Sequence, residues 1–355
     1  MTHSGDLRRL LRTLALLAVF PAVILLVNLT ADPAHILTDR YAGEVADILL
    51  GGKNATNMDN LDDRDLLVRY FDRRQTPVRV LTLGSSRSMQ VTKELTGCGE
   101  SFCAGVTGAD LRDCISIYQM AKQQGLQPEK VIFCAEYWFL SEGNLDPRAN
   151  TEGYEDFCAQ TGNTPLRTAS REAVRRKELL SLSYFQSSLQ YLLDGERRKL
   201  TATDAPDGPY ATRRADGSYS YEEDYRRRPQ EQVDGDARDC CIKNSLQQGF
   251  TGVNDALLRQ TGDLIAMMQQ DGAEVVLQLA PFHPVYYEYM AGAEKYREIL
   301  ATEQVYRDLA DRYGIPCCGG YDPAAFGMTN ADFYDAQHPS AEGIYRYFGK
   351  TLPAA

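Results

Sequence analysis

A chain of 355 residues is long enough for one large α/β domain or two smaller ones, so core size sets no limit on what it can build. Its formal charge of -11 excludes a general nucleic-acid binder, because no basic stripe offsets the excess carboxylates. With four histidines, and no Cys-x-x-Cys among nine cysteines, there is no zinc pattern; neither a metal nor a cofactor is expected.

The first element is apolar. Residues 13–31 hold no charge and 14–27 read LALLAVFPAVILLV, with Arg8, Arg9 and Arg12 before them and Asp32 and Asp39 after them. The positive-inside rule predicts a single pass of the cell membrane, with the N-terminus cytoplasmic and the remainder outside. The wholly apolar part is short, so a cleaved signal peptide is the alternative. Cleavage after Ala31 sets bulky Leu29 where a small residue is wanted, which favours an uncleaved anchor. A buried soluble helix suits poorly a run with a basic flank and Pro21 near its middle. Residues 1–31 therefore read as cytoplasmic tail and transmembrane anchor, 32–76 as a connecting region with helices at 41–50 and 62–71, and 77–355 as the main domain.

In that domain short apolar runs alternate with amphipathic ones. Strands are expected at 78–83, 101–106, 130–135, 274–280 and 315–318, and helices at 110–124, 254–270 and 295–313. The strand runs lack strict alternation, as in a parallel sheet buried on both faces. The order predicts an α/β fold, a three-layer α/β/α sandwich with a mostly parallel sheet, behind an N-terminal transmembrane helix. One long insertion, 139–250, separates the third strand from the fourth. It holds an expected helix at 165–193, then a polar, Arg-rich stretch in which 210–221 reads as a β-hairpin turning at Asp216-Gly217. Such an insertion is either a lid or binding wall, or a solvated excursion; the residues leave both open. Outside the membrane disulfides are allowed, and Cys98 with Cys103 would close a small loop, whereas Cys114 and Cys134 read as small core hydrophobes.

Two short motifs carry the chemistry. Gly84-Ser85-Ser86-Arg87 leaves the first strand at its carboxyl end, where open parallel sheets bind ligands. A serine there is placed as a nucleophile with its own N–H as an oxyanion donor; alternatively Ser85 or Ser86 only caps a helix. Asp335-Ala336-Gln337-His338 precedes a helix-like segment at 341–352. A turn closes the distance from Asp335 to His338, so the carboxylate can orient the imidazole as a base; the alternative is a surface loop with no partner. His283, after the fourth strand in Pro281-Phe282-His283-Pro284, ranks second as base. It either contacts a phosphate or glycan hydroxyl, or is satisfied by backbone.

Together these blocks resemble the SGNH/GDSL hydrolase superfamily, from about Val78 to the C-terminus. The resemblance is closest to the extracytoplasmic branch of D-alanine-transfer (DltD-like) and alginate O-acetylation proteins. It implies a flavodoxin-like sandwich, Ser86 rather than Ser85 as nucleophile, and Asp335 and His338 as the last block. Ala104-Gly105-Val106-Thr107-Gly108 is similar to the second block and implies Gly108 N–H beside Ser86 N–H in an oxyanion hole. The third block differs. Where the superfamily often has an asparagine donor, this chain has Ala135-Glu136-Tyr137-Trp138. An ionised Glu136 only accepts hydrogen bonds. It either binds a cationic or hydroxyl-bearing substrate, pairs with Arg87 at the site, or forms a structural ion pair; Trp138 is either a wall for a sugar ring or packs on the insertion. The resemblance implies ping-pong acyl transfer, or ester hydrolysis, on acyl esters of cell-envelope glycans or polymers, with a polytopic membrane protein delivering the acyl group. The alternative is a glycan-binding or assembly protein that keeps the fold without the chemistry.

Overall fold

The computed structural model describes residues 3–37, 40–193, 199–243 and 249–348. Its strands in chain order are β1 (Asn54–Thr56), β2 (Val80–Ser85), β3 (Ser101–Val106), β4 (Lys130–Ala135), β5 (Thr201–Thr203), β6 (Thr212–Arg213), β7 (Tyr219–Ser220), β8 (Glu274–Leu279) and β9 (Cys317–Gly319). The central sheet has five strands in the order β3-β2-β4-β8-β9, every pair parallel. The chain starts in the middle, adds β3 on one side and β4, β8 and β9 on the other, so the winding reverses at β2. A crevice opens at the carboxyl end of such a switch point.

Alternate residues of each strand feed two cores, which is why no strand alternates between apolar and polar. Leu81, Phe133 and Leu277 pack on one face with the helices Asp63–Arg73, Leu111–Gln123, Asp255–Gln270 and Arg297–Tyr313. Val80, Ile132 and Val276 pack on the other with Met328, Phe333 and the helix Ala341–Phe348. The protein is thus α/β, with a parallel sheet between two apolar layers. Strand β2 runs past its expected end because Gly84 and Ser85 still pair with Gly105 and Val106.

The connecting region is not only helical. It supplies β1, which joins β5, β6 and β7 in a second sheet of order β5-β1-β6-β7. Tyr70 also stacks on Phe102 of β3 at 4.0 Å between ring centroids, so this region belongs to the main core. The expected hairpin is β6–β7, and its turn covers the edge of the central sheet: Cys103 N–H donates to Asp216 O at 2.7 Å. Gly217, at φ 76°, is required there, since a Cβ would lie 2.4 Å from the Cys103 carbonyl oxygen.

The helix expected at 165–193 is two helices, Arg171–Glu178 and Leu182–Leu193. The Ser170 hydroxyl caps the first through Ala173 N–H, and the Ser181 hydroxyl caps the second through Tyr184 N–H. At the other end of the chain, 349–352 lie outside the described residues. All nine cysteines are free thiols. Cys103 sits mid-strand with its Sγ turned to Ser88 O at 3.4 Å, so the loop with Cys98 does not close. Cys114 and Cys134 are buried in the core.

The N-terminal helix spans His3–Ala31. Among the described residues no helix is long and apolar enough to cross a membrane. The apolar run at 14–27 includes 14–16, whose side chains lie outside the described residues, as does Asp39. The helix ends against the insertion: Asn28 Nδ2 donates to Leu179 O at 2.9 Å, and Tyr184 OH donates to Asp32 Oδ1 at 2.9 Å.

Candidate active site

The turn after β2 is built by glycines. Gly84 and Gly105 pair across β2 and β3, and a Cβ on either would crowd the Ser88 hydroxyl, which folds back over the strand ends to donate to Ser85 O at 2.7 Å. The two serines then divide the roles. Ser85 is buried and caps the turn, accepting from Arg87 N–H at 3.2 Å and donating to Glu136 Oε1 at 2.6 Å. Ser86 is partly exposed and aims at the crevice.

There Ser86 meets the distant histidine. Ser86 Oγ lies 2.9 Å from His338 Nε2, and His338 Nδ1 lies 2.8 Å from Asp335 Oδ2. With a carboxylate on Nδ1, the ring proton belongs there and Nε2 accepts from the serine hydroxyl. Asp335 is itself fixed: its Oδ1 accepts the N–H groups of Gln337 and His338, each at 2.8 Å, and its Oδ2 accepts Tyr225 OH at 2.6 Å. Burial alone raises its pKa, but the imidazole, the tyrosine hydroxyl and the backbone donors outweigh it and hold the carboxyl well below the usual range.

Arg87 and Glu136 are not among the cavity walls. Both are buried, 2.7 Å apart, beneath the serine turn. Arg87 NH2 donates to Ala280 O and Pro281 O at 2.6 and 2.8 Å, its Nε donates to Gln337 O at 2.9 Å, and its guanidinium lies over the Phe282 ring. The pair ties together the ends of β2, β4 and β8 and the loop of His338. Burial raises the Glu136 pKa, while Arg87 and the Ser85 hydroxyl oppose the rise. Of the readings for Glu136, the structure has the structural ion pair, because the side chain points under the strand ends.

Gly108 follows β3 and lines the same cavity as Ser86 and His338. Among the described residues, the backbone N–H groups of Ser86 and Gly108 make no hydrogen bond. The Gly108 loop is braced from behind. Trp138 Nε1 donates to Ala109 O at 2.8 Å, so its ring packs behind the loop and is not among the cavity walls. Arg64 NH2 donates to Gly108 O at 3.2 Å while the guanidinium pairs with buried Asp113. Asp63 accepts Thr107 N–H at 2.9 Å.

His283 is not at the cavity either. It is fully buried, its Nδ1 accepts Val285 N–H at 3.3 Å at a helix start, and its Nε2 faces Asp234 of the insertion at 3.3 Å. Burial lowers its pKa and Asp234 opposes that. Its backbone N–H still serves the site, donating to Ala336 O at 3.0 Å in the His338 loop.

The insertion is a wall of the site. Tyr219, Tyr221 and Glu222 line the cavity, the Tyr221 ring lies edge-on to His338 at 6.1 Å, and Tyr225 reaches Asp335 from the short helix Glu223–Arg226. Sequence reasoning singles out neither Tyr225 nor Arg64. For Tyr225 the available signal is three tyrosines, at 219, 221 and 225, in an otherwise polar stretch; for Arg64 there is none. Among the described residues no group of three or more His, Cys, Asp or Glu side chains is arranged to hold a metal ion. No protein-family model matches this sequence, and no curated protein matches it.

Proposed function

We propose that this protein is an SGNH-type serine acyltransferase or esterase, anchored by its N-terminal helix and acting outside the cell membrane on acyl esters of cell-envelope glycans or polymers. The observation that carries the reading is the chain of contacts Ser86 Oγ–His338 Nε2 at 2.9 Å and His338 Nδ1–Asp335 Oδ2 at 2.8 Å, standing at the carboxyl ends of parallel strands. The strand order, which reverses its winding at β2, supports the flavodoxin-like sandwich of that superfamily.

His338 takes the Ser86 proton as Oγ attacks the acyl carbon, and the tetrahedral oxyanion rests on the N–H groups of Ser86 and Gly108. His338 then protonates the leaving oxygen, which departs and leaves an acyl ester on Ser86. An acceptor hydroxyl, from a sugar, a polyol or water, reverses these steps and restores the serine. Glu136 supplies no donor, so the oxyanion hole is two-membered. A polytopic membrane protein that brings the acyl group to the outer face completes the reading. Release of nitrophenol from para-nitrophenyl acetate, with added polyol competing against water, tests it. Ser86-dependent release supports the reading, and an acylated polyol makes the enzyme a transferase. A well-folded protein whose release rate is unchanged in Ser86→Ala contradicts it.

A further inference from the structure

The cavity before Ser86 is far larger than a small acyl group needs. From Ser86, Gly108 and His338 it extends, with a volume of about 1080 Å³, to Pro33, Ala34 and Ile36, just after the N-terminal helix ends at Ala31. Its two ends differ in chemistry. Around Ser86 the walls are Arg64, Thr107 and Tyr221; at the far end Pro33, Ala34, Ile36, Met58 and Val174 offer apolar surface, interrupted by Asn60, which donates to Pro33 O, and with Arg175 and Glu178 beside them. The far end is held in place by the contacts between the foot of the N-terminal helix and the insertion: Asn28 to Leu179, and Tyr184 to Asp32 and Ala34.

The two helices that meet there turn apolar side chains outward. Leu17, Phe20 and Leu26 are exposed on His3–Ala31, and Leu182, Leu189 and Leu193 on Leu182–Leu193. The most exposed, Leu193, shows 77% of its surface. Adjacent outward apolar faces mark a contact surface rather than a water-facing one. The preceding helix, Arg171–Glu178, exposes Lys177 beside them, a cation placed to meet lipid headgroups next to a buried apolar face, while Arg176 is paired with Glu172. The surface therefore continues the apolar run of the proposed anchor, and its occupant is a bilayer.

We infer that this cavity is a donor channel opening at the bilayer beside the N-terminal helix, and that it takes a membrane-held amphiphile: an acyl ester whose apolar tail stays in the membrane while its carbonyl reaches Ser86. The inference rests on Ser86 as nucleophile and on His3–Ala31 as anchor. Ser86 Oγ bonds to the acyl carbon, the C–O bond to the tail alcohol breaks, His338 passes the proton to that oxygen, and the alcohol returns to the bilayer. The acyl group stays on Ser86 for an acceptor hydroxyl.

The test uses the full-length chain reconstituted into phosphatidylcholine–phosphatidylglycerol vesicles and two acetate esters. One is water-soluble para-nitrophenyl acetate; the other, para-acetoxyphenyl hexadecyl ether, is held in the vesicles. Ile36→Trp and Val174→Trp narrow the far end of the cavity. In each, release of the phenol from the vesicle-held ester should fall by about tenfold or more, with hydrolysis of the soluble ester within about twofold of wild type, which also reports a folded protein. Leu189→Glu with Leu193→Glu, both on exposed surface, should lower only the vesicle-held reaction. If these variants process both esters as wild type does, the channel is wrong and the serine chemistry stands. If neither ester gives Ser86-dependent release, the catalytic reading falls and the channel with it.

Discussion

Two buried guanidinium–carboxylate pairs flank the candidate site, and they do different jobs. Arg87–Glu136 is sealed, with 1% of either side chain exposed, and Arg87 holds three backbone carbonyls from the β8 and His338 loops. In the second pair Arg64 lines the cavity edge and reaches the Gly108 carbonyl and Asp146 besides buried Asp113. The first pair fixes Ser86 and His338 relative to each other; the second braces the Gly108 loop. Parallel strands fan apart at their carboxyl ends and leave carbonyls without ladder partners, so a buried arginine is a natural joint there. Such a pair is weak evidence of net stability, but removing one partner leaves an uncompensated buried charge.

The largest effect is therefore expected at the sealed pair. Arg87→Met should lose about 3–5 kcal/mol in urea unfolding, because Glu136 stays buried without its counter-charge and the loop carbonyls lose their donor. Arg64→Met should lose less, about 2 kcal/mol, since Asp113 keeps the N–H groups of Asp110 and Asn150 and water can enter from the cavity. Equal losses would erase the distinction. On activity the order within Arg64→Met sharpens it further: kcat on an aryl ester should fall more than KM rises, as for an interaction felt mainly in the transition state.

A third prediction concerns pH. The Asp335 pKa is lowered on folding, so its contribution to stability is present above the ordinary carboxylate pKa of about 3.9 and is lost as pH falls below it. The urea midpoint of wild type should exceed that of Asp335→Asn at neutral pH, and the gap should begin to narrow only as pH falls below about 3.9, closing well below that value because the folded carboxyl is still ionised there. A gap that does not narrow at all as pH falls below about 3.9 would show that the asparagine harms packing instead. Next, Tyr225→Phe removes the hydroxyl that shares Asp335 with His338. The carboxylate loses one of its donors and is held less firmly against the imidazole, so kcat/KM on an aryl ester should fall several-fold. An unchanged kcat/KM would make Tyr225 a packing residue only. The smallest effect is Trp138→Phe, which gives up one hydrogen bond to Ala109 O, worth about 1 kcal/mol, and should slow turnover a few-fold.

What the sequence reveals, and what it hides, follows the same division. The strand pattern, Ser86 and Asp335-x-x-His338 are legible because each is a local signal: an apolar run, a Gly-Ser turn, a carboxylate a turn away from an imidazole. The sequence cannot say which polar residues face the cavity, because that depends on how the strand ends fan out. Glu136, Trp138 and His283 all sit just past strand ends, yet the first and last are buried under the loops and Trp138 braces Ala109 from behind. Tyr225 is hidden for another reason. Its contact with Asp335 spans 110 positions, and the second sheet that delivers it is assembled from β1 and the insertion, segments too short to announce their pairing.

Intact-protein mass after treatment with a fluorophosphonate probe tests the central claim most directly, with Ser86→Ala and His338→Ala alongside. The account predicts a single adduct on wild type that is lost in both variants, because only a serine activated by its imidazole attacks phosphorus. An adduct that persists in Ser86→Ala, or a folded wild-type protein that takes none, would contradict it.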